Sequence, residues 1–336
     1  MLEKYEISDN KKNSLIISIA MCTYNGGKYL QEQLNSIAKQ TRLPDEFVVC
    51  DDGSTDSTLQ ILDEFKKNTT SQVRIYHNEK RLGPTKNFEK AINLCKGDII
   101  ALSDQDDVWL PHKLEKIEKL FEEYPNAGYA FSDAIVVDEK LNPFDFTLWD
   151  YVLFTVNQRR NFKQGNQSEV LIKHNVVTGA TMAFCKKIKN WILPIPEEWV
   201  HDGWIALLAS TAEEKGIFDE EPLVKYRIHP KQLIGINVNG NDFIAQFKKA
   251  YNTKSESYQA EAERISYAMD RLLSANKLTK EANKLFKEKI AHLQARQWLH
   301  NHSRWKRFSK VFTELLSGRY HRFSNGWKSV VKDLCF

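Results

Sequence analysis

No Cys-x-x-Cys pair occurs in this sequence, and its five cysteines, Cys22, Cys50, Cys95, Cys185 and Cys335, are odd in number. That pattern gives neither a disulfide framework nor a zinc site, and isolated cysteines in apolar runs such as "FVVC" serve as small core residues, so a reducing cytosol is the expected setting. The N-terminal "MLEKYEISDNKKNS" lacks the apolar centre of a secretory signal, and no uninterrupted apolar run reaches the roughly 18 residues needed to cross a bilayer. The expectation is a chain that is soluble or rests on a membrane surface. Strong charge of either sign is missing too. Forty-eight Lys plus Arg against 44 Asp plus Glu leave a net +4, too little to imply nucleic acid without a localised basic face. No internal repeat or low-complexity tract is visible.

What is present is a chain of 336 residues with 42% hydrophobic content, enough for one large domain with an appendage or for two domains. The β-rich run "SLIISIAMCTYN" precedes "GGKYLQEQLNSIAKQT", whose Tyr29, Leu30, Leu34 and Ile37 recur at helical spacing. "EFVVCDDGS" and "TDSTLQILDEFKKN" repeat the strand and helix, with Ser54 or Thr55 as expected helix caps. "VRIYHN" with "GPTKNFEKAINLC", and "DIIALSDQDD" with "PHKLEKIEKLFEEY", give two more units. Such alternation predicts an α/β fold with a doubly wound, mostly parallel sheet, in which ligands bind beyond the carboxyl ends of the strands. Further on, "YAFSDAIVVD" reads as a strand, "HNVVTGATMAFCKKI" as a turn and strand, "EEWVHDGWIALLASTAEEKG" as a helix and "EPLVKYRIHPKQLIG" as a strand entering a loop. From about residue 241 only helices are predicted, beginning with "DFIAQFKKAYN". The expected division is a catalytic domain over 1–238 and a helical extension over 239–336.

The polar clusters "TYN", "DDGSTD" and "SDQDD" all fall at predicted strand ends, so three separated segments converge on one rim. In the last of these, Asp104, Asp106 and Asp107 crowd within four positions. Like charges that close must be solvated or share a cation, and hard carboxylate oxygens at a D-x-D suit Mg²⁺ or Mn²⁺ bridging phosphate oxygens. A solvated acidic turn, with Asp107 capping a helix near Pro111, is the plainer alternative. Asp51 and Asp52 precede a Gly-containing turn where a carboxylate accepts from a base N–H or a ribose hydroxyl, and Tyr24 offers a stacking face or simple packing. Together these describe a nucleotide pocket.

In their order, "SIAMCTYNGGKYLQEQLNSIAKQT", "DDGSTDST", "NEKRLGPTKNFEKAI" and "GDIIALSDQDDVW" closely resemble the nucleotide-binding half of inverting family 2 glycosyltransferases with the GT-A fold, strongly over 15–135 and more weakly to about 235 through "VTGATMAF", "HDGWIALLA" and "YRIH". The likeness is greatest to bacterial rhamnosyltransferase-type members that build surface polysaccharides. This resemblance implies that Thr23, Tyr24 and Asp52 hold the nucleobase, with Asp51 a structural neighbour or second contact. It further implies that Gly83, Lys86 and Asn87 line the nucleotide side, that Asp104 faces ribose and metal, that Asp106 holds Mn²⁺ or Mg²⁺, and that His229 helps to hold that metal or the pyrophosphate, with a lone surface histidine as the alternative. Asp202 is the implied general base, with an N-cap before "GWIALLA" as its alternative, and the rings of His201, Trp199 and Trp204 flanking it are suited to shape a sugar site. The "PKQ" after His229 departs from the Gly/Asn-rich loop usual there and offers Lys231 to a phosphate. The implied reaction moves a sugar from a UDP or dTDP donor to a glycan or lipid-linked glycan at the inner face of the cell membrane. A nucleotidyltransferase and a non-catalytic nucleotide-binding scaffold are the rivals.

Nine Lys or Arg between Arg296 and Lys332 interleave with seven aromatic residues, and only Glu314 opposes them. Basic residues with interfacial aromatics suit a helix lying on an anionic membrane, and the alternative is a helical appendage packed on the catalytic domain.

Overall fold

The computed structural model describes residues 14–230 and 258–335. The "DFIAQFKKAYN" segment, Lys231 and the expected boundary near 238 lie outside the described residues.

Nine strands form one sheet in the order β3-β2-β1-β4-β8-β6-β9-β5, with β7 paired to β6. The first half is parallel: β1 (Ile17–Thr23), β2 (Glu46–Asp51), β3 (Gln72–His77) and β4 (Ile99–Ser103), with α1 (Leu30–Ala38), α2 (Thr58–Asn68) and α3 (Pro84–Leu94) between them. Their unbroken apolar runs follow from burial on both faces. Along β1, β2 and β4 the pleat sends Ala20, Val48, Cys50, Ile100 and Leu102 into one core, and Ile19, Met21, Phe47, Val49, Ile99 and Ala101 into the other. Phe88, Ala91 and Ile92 of α3 close the first core; Leu30, Leu34 and Ile37 of α1 and Leu62 of α2 close the second. Each such buried Leu, Ile or Phe contributes about 1.5–3 kcal/mol. The expected α/β doubly wound architecture is present.

The second half is mixed. β5 (Val108–Trp109) and α4 (Lys113–Glu123) lead to β6 (Ala127–Val137), followed by β7 (Pro143–Thr147), the short helices α5 (Leu148–Tyr151), α6 (Val156–Lys163) and α7 (Gln167–Lys173), then β8 (Ala183–Cys185), α8 (Lys186–Ile192), α9 (His201–Thr211) and β9 (Lys215–Arg227). β6 and β9 run parallel to β4, and β5, β7 and β8 are opposed to them. β8 slots antiparallel between β4 and β6, with Phe184 opposite both Ile100 and Tyr129. β9 runs parallel to β6, and β5 pairs with its end, Trp109 opposite Val224. The helix expected to run through "AEEKG" stops at Thr211 instead, and β9 begins at Lys215. Pairing along β6 overrides the helical character of those residues, and Gly216 permits it: a Cβ there would meet the Tyr129 ring at 2.3 Å. The expected caps Ser54 and Thr55 also give way. α2 starts at Thr58, and Asp56 receives its Thr58 N–H at 3.0 Å while Ser54 turns to Asp51.

Among the described residues five helices follow: α10 (Tyr258–Ser274), α11 (Lys280–His300), α12 (Arg304–Leu316), α13 (Arg319–Phe323) and α14 (Trp327–Cys335). Ala262, Ile265 and Leu272 of α10 and Leu285 and Phe286 of α11 join Ile188, Ile192 and Trp204 in a continuous core. Among the described residues no helix is long and apolar enough to cross a membrane.

Candidate active site

Strand register aligns Thr23, Asp51 and His77 on one edge, and the loops leaving that edge make the site floor. Asp51, 1% exposed, accepts from the Gly53 and Ser54 amides through Oδ1 and from the Thr23 and Ser54 hydroxyls through Oδ2, so it shapes the turn. Asp52 gathers the next loop: Oδ1 accepts from Asn78 Nδ2 (2.8 Å) and Leu82 N (2.7 Å), and Oδ2 from Gly83 N (2.9 Å). Gly83 stands at φ +78°, where a side chain would be strained. Asn87 is buried and bridges Asn78 to the Cys50 carbonyl, while Lys86 Nζ donates to Glu89 and to the Ile195 carbonyl. Gln105 holds Tyr24 from both sides, accepting from its N–H at 2.9 Å and donating to its carbonyl at 3.0 Å. The exposed Arg81 lies 3.9 Å over the Tyr24 ring.

The acidic segment lies between β4 and β5, and the β5–β9 pairing carries the end of β9 against it. Arg227, 1% exposed, donates its backbone N–H to Asp107 Oδ1 (3.0 Å) and its Nε to the Asp106 carbonyl (2.7 Å), and its guanidinium pairs with Glu32. Two residues on, His229 Nε2 meets Asp106 Oδ2 at 2.8 Å, and the imidazole packs 4.8 Å from the Tyr29 ring. Asp107 is therefore not the cap of the following helix: it is 1% exposed, and α4 begins at Lys113 behind His112. Burial, with Asp106 and Asp104 beside it, pushes its carboxyl well above the usual range. Burial, then the Asp106 and Asp202 charges, push the half-buried Asp104 up to about 7. Lys113 opposes both from a fully buried position, donating to the Ala180 carbonyl at 2.6 Å with its Nζ 3.6 Å from the Trp109 ring centre; burial pulls that ammonium well below the lysine range.

Asp202 closes the site from α9. It is not an N-cap, since Val200 holds that position without a side-chain bond. Its Oδ2 accepts from Gly179 N at 2.9 Å, and its Oδ1 from Asn175 Nδ2 at 3.1 Å and Gly203 N at 2.5 Å. Behind it His201 stacks on Phe88 with ring centres 4.0 Å apart. Trp204, expected to shape a sugar site, is instead a core residue, 1% exposed with its indole N–H on the Ile192 carbonyl; Trp199 ties to α10 through the Arg264 carbonyl.

Residues 18–191 match the family model for glycosyl transferase family 2. The chain belongs to that family. It is 26% identical over 263 residues to the dTDP-rhamnosyl transferase RfbG of Shigella flexneri, covering 74% of this chain and 84% of that protein. It is 28% identical over 240 residues to an uncharacterized glycosyltransferase of Methanocaldococcus jannaschii, covering 70% and 75%. Among solved structures, S. aureus TarS residues 1–349 in complex with UDP-GlcNAc superposes with a TM-score of 0.54 at 18% identity, over 82% of this chain and 70% of that one, a likeness of fold. The structure is thus a GT-A glycosyltransferase with a helical C-terminal region.

Within this family 2 domain the sequence-predicted residues fall into two groups. Asp106 meets His229, and the charges of Asp106 and Asp202 act on Asp104, whereas Asp52, Gly83 and Asn87 share a hydrogen-bonded network through Asn78, Thr23 bonds to Asp51, and Lys86 turns to Glu89 and the Ile195 carbonyl. No set of three or more ligating side chains is already gathered for a metal among the described residues. The donor set nonetheless fits a divalent cation. Asp106 and His229 touch, and Asp104, raised first by burial and then by the Asp106 and Asp202 charges, stands beside them as a carboxylate whose charge a cation would favour. Sequence reasoning missed Gln105, Arg81 and Lys113. Gln105 sits inside "SDQDD" but its partner is the backbone of "TYN", and a Cβ on Gly26 would meet its Oε1 at 2.1 Å, a pairing that no local pattern announces.

Proposed function

We propose that this glycosyltransferase moves a sugar, with rhamnose the candidate suggested by the likeness to RfbG, from a UDP or dTDP donor onto a hydroxyl of a glycan or lipid-linked glycan in bacterial surface-polysaccharide synthesis, inverting the anomeric configuration at the cytoplasmic face of the membrane. The carrying observation is Asp202, fixed by three donors and near enough to Asp104 for their charges to interact. Asp202 takes the proton of the acceptor hydroxyl as that oxygen attacks the anomeric carbon from the face opposite the diphosphate. Tyr24 and Arg81 hold the base above the Thr23 and Asp52 floor, and Gly83, Lys86 and Asn87 line its nucleotide side. Asp104 faces the ribose, and Asp106 and His229 would hold Mn²⁺ or Mg²⁺. When bound, the ion supplies positive charge to the departing diphosphate. A direct displacement forms no covalent enzyme intermediate.

Family membership and Asp202 favour this reading over a nucleotidyltransferase, and the scaffold alternative is separated by one substitution. Asp202→Asn should lower transfer from UDP- or dTDP-sugars by about 10²- to 10⁴-fold while calorimetry shows nucleoside diphosphate binding retained. Transfer at the unmodified rate would overturn the assignment.

A further inference from the structure

The last helices carry an apolar stripe that faces away from the rest of the protein. On α12, Trp305, Phe308, Phe312 and Leu316 recur at helical spacing and are 89%, 56%, 60% and 73% exposed; on α14, Trp327 and Val331, one turn apart, are 62% and 55% exposed. These helices already use their other faces. Val311 and Val330 pack with Leu299 and Tyr320, and Tyr320 Oη and the Arg296 guanidinium both bond to Asp333. A helix needs one apolar face to join its own fold, so a second, outward one calls for something else to cover it.

The charges around the stripe say what. Among residues 304–335 the acids are Glu314 and Asp333, and both are buried: Glu314 meets His292 and Arg319, and Asp333 meets Arg296. Arg322 pairs with Glu169 and Glu288. Lys306 and Lys310 on α12 and Lys328 and Lys332 on α14 are exposed, and among the described residues no ion pair takes them. Three residues beyond Leu316, Arg319, paired with Glu314, lines a shallow groove with Lys280, Lys284 and Lys287, in which Glu288, paired with Arg322, is the one carboxylate. The outward face thus combines tryptophan and phenylalanine with cations and no exposed carboxylate. A second copy of this chain would set lysine rim against lysine rim, because a twofold contact matches a patch with itself.

We infer that this α12–α14 face docks on an anionic lipid bilayer, the aromatic stripe entering the interfacial region and the lysines meeting headgroup phosphates. Tryptophan and phenylalanine favour that depth, and each nearby lysine adds attraction to acidic lipid. The inference is read by lipid binding, so its failure would leave the role of Asp202 untouched, and the converse also holds.

The full chain is sedimented with large vesicles of phosphatidylcholine, with and without phosphatidylglycerol, while light scattering follows its mass. The unmodified protein should bind the phosphatidylglycerol vesicles, its tryptophan emission shifting to the blue. Trp305→Glu with Phe312→Glu should weaken binding at least about tenfold, and Lys306→Gln with Lys310→Gln about fivefold for each charge removed. These side chains are exposed, and unchanged circular dichroism and nucleoside diphosphate binding would show that the variants fold. Binding unaltered in Trp305→Glu/Phe312→Glu, equal binding to neutral and acidic vesicles, or a dimer that this variant dissociates would each overturn the inference.

Discussion

Asp51 and Asp52 are adjacent and chemically identical, yet the pleat turns them to different work. Asp51 folds back on its own turn through Ser54 and Thr23, whereas Asp52 reaches across to the loop at Leu82 and Gly83. Asp106 shows the same dependence on place. Its partner His229 is 123 positions away and arrives only because β9 ends beside the acidic segment. Asp106→Ala should weaken metal-dependent nucleoside diphosphate binding at least about tenfold, since it removes a carboxylate oxygen from the proposed metal site. The unfolding midpoint without metal should hold or rise, because one of several repelling charges around Asp104 and Asp107 is gone. Calorimetry with Mn²⁺ and UDP or dTDP, beside a thermal melt, measures both; unchanged affinity would remove Asp106 from the metal site.

Among the elements, α1 best separates what periodicity reveals from what it hides. Leu30, Leu34 and Ile37 mark the buried face, but Gln33 and Ser36, with Gln40 just past the helix end, are buried as well and carry the polar links to the acidic segment. Gln33 donates to the Ser103 hydroxyl, Ser36 accepts from Trp109 N, and Gln40 spans from the Leu110 carbonyl to the Leu114 amide. This seam fixes the start of α4, where Lys113 faces the carboxylates. Gln40→Leu keeps the size but strands the Leu114 amide, and should cost about 1–3 kcal/mol in urea unfolding. A loss under a few tenths would mean that water replaces the glutamine. α12 is the counterpart: its sequence shows aromatics and cations mixed, and only packing sorts Arg307 and Val311 inward and Trp305 and Phe312 outward.

At the scale of the whole molecule, assembly also sets the response to acid. Burial, with Lys173 and Lys289 nearby, pushes the His174 imidazole from its ordinary 6.5 down to about 4. Burial likewise lowers His201 and His292, the latter against the pull of Glu314. A histidine depressed in the fold takes its proton first in the unfolded chain. The stability it supplies is therefore complete above the unfolded value of 6.5 and drains away as pH falls toward 4, up to about 3 kcal/mol for His174. His174→Gln should flatten that slope in urea titrations across the interval; an equal slope in the variant would place the acid sensitivity elsewhere.

Taken by itself, the sequence determined the alternation of strands and helices and the rim on which the strand ends deliver their polar clusters, Asp104 and Asp106 among them; Asp202 and His229 came into view through the family resemblance. The alternation and the rim are local matters, set by side-chain period and by which residues end an apolar run. Tertiary structure alone decided that β8 would run antiparallel beside β4, that Asp107 and Lys113 would be buried, that Trp204 would serve the core, and which cations of the last helices would remain outside. Each of these depends on partners distant in the chain. Burial and charge pairing become defined only when those partners arrive, and the residue itself carries no mark of them.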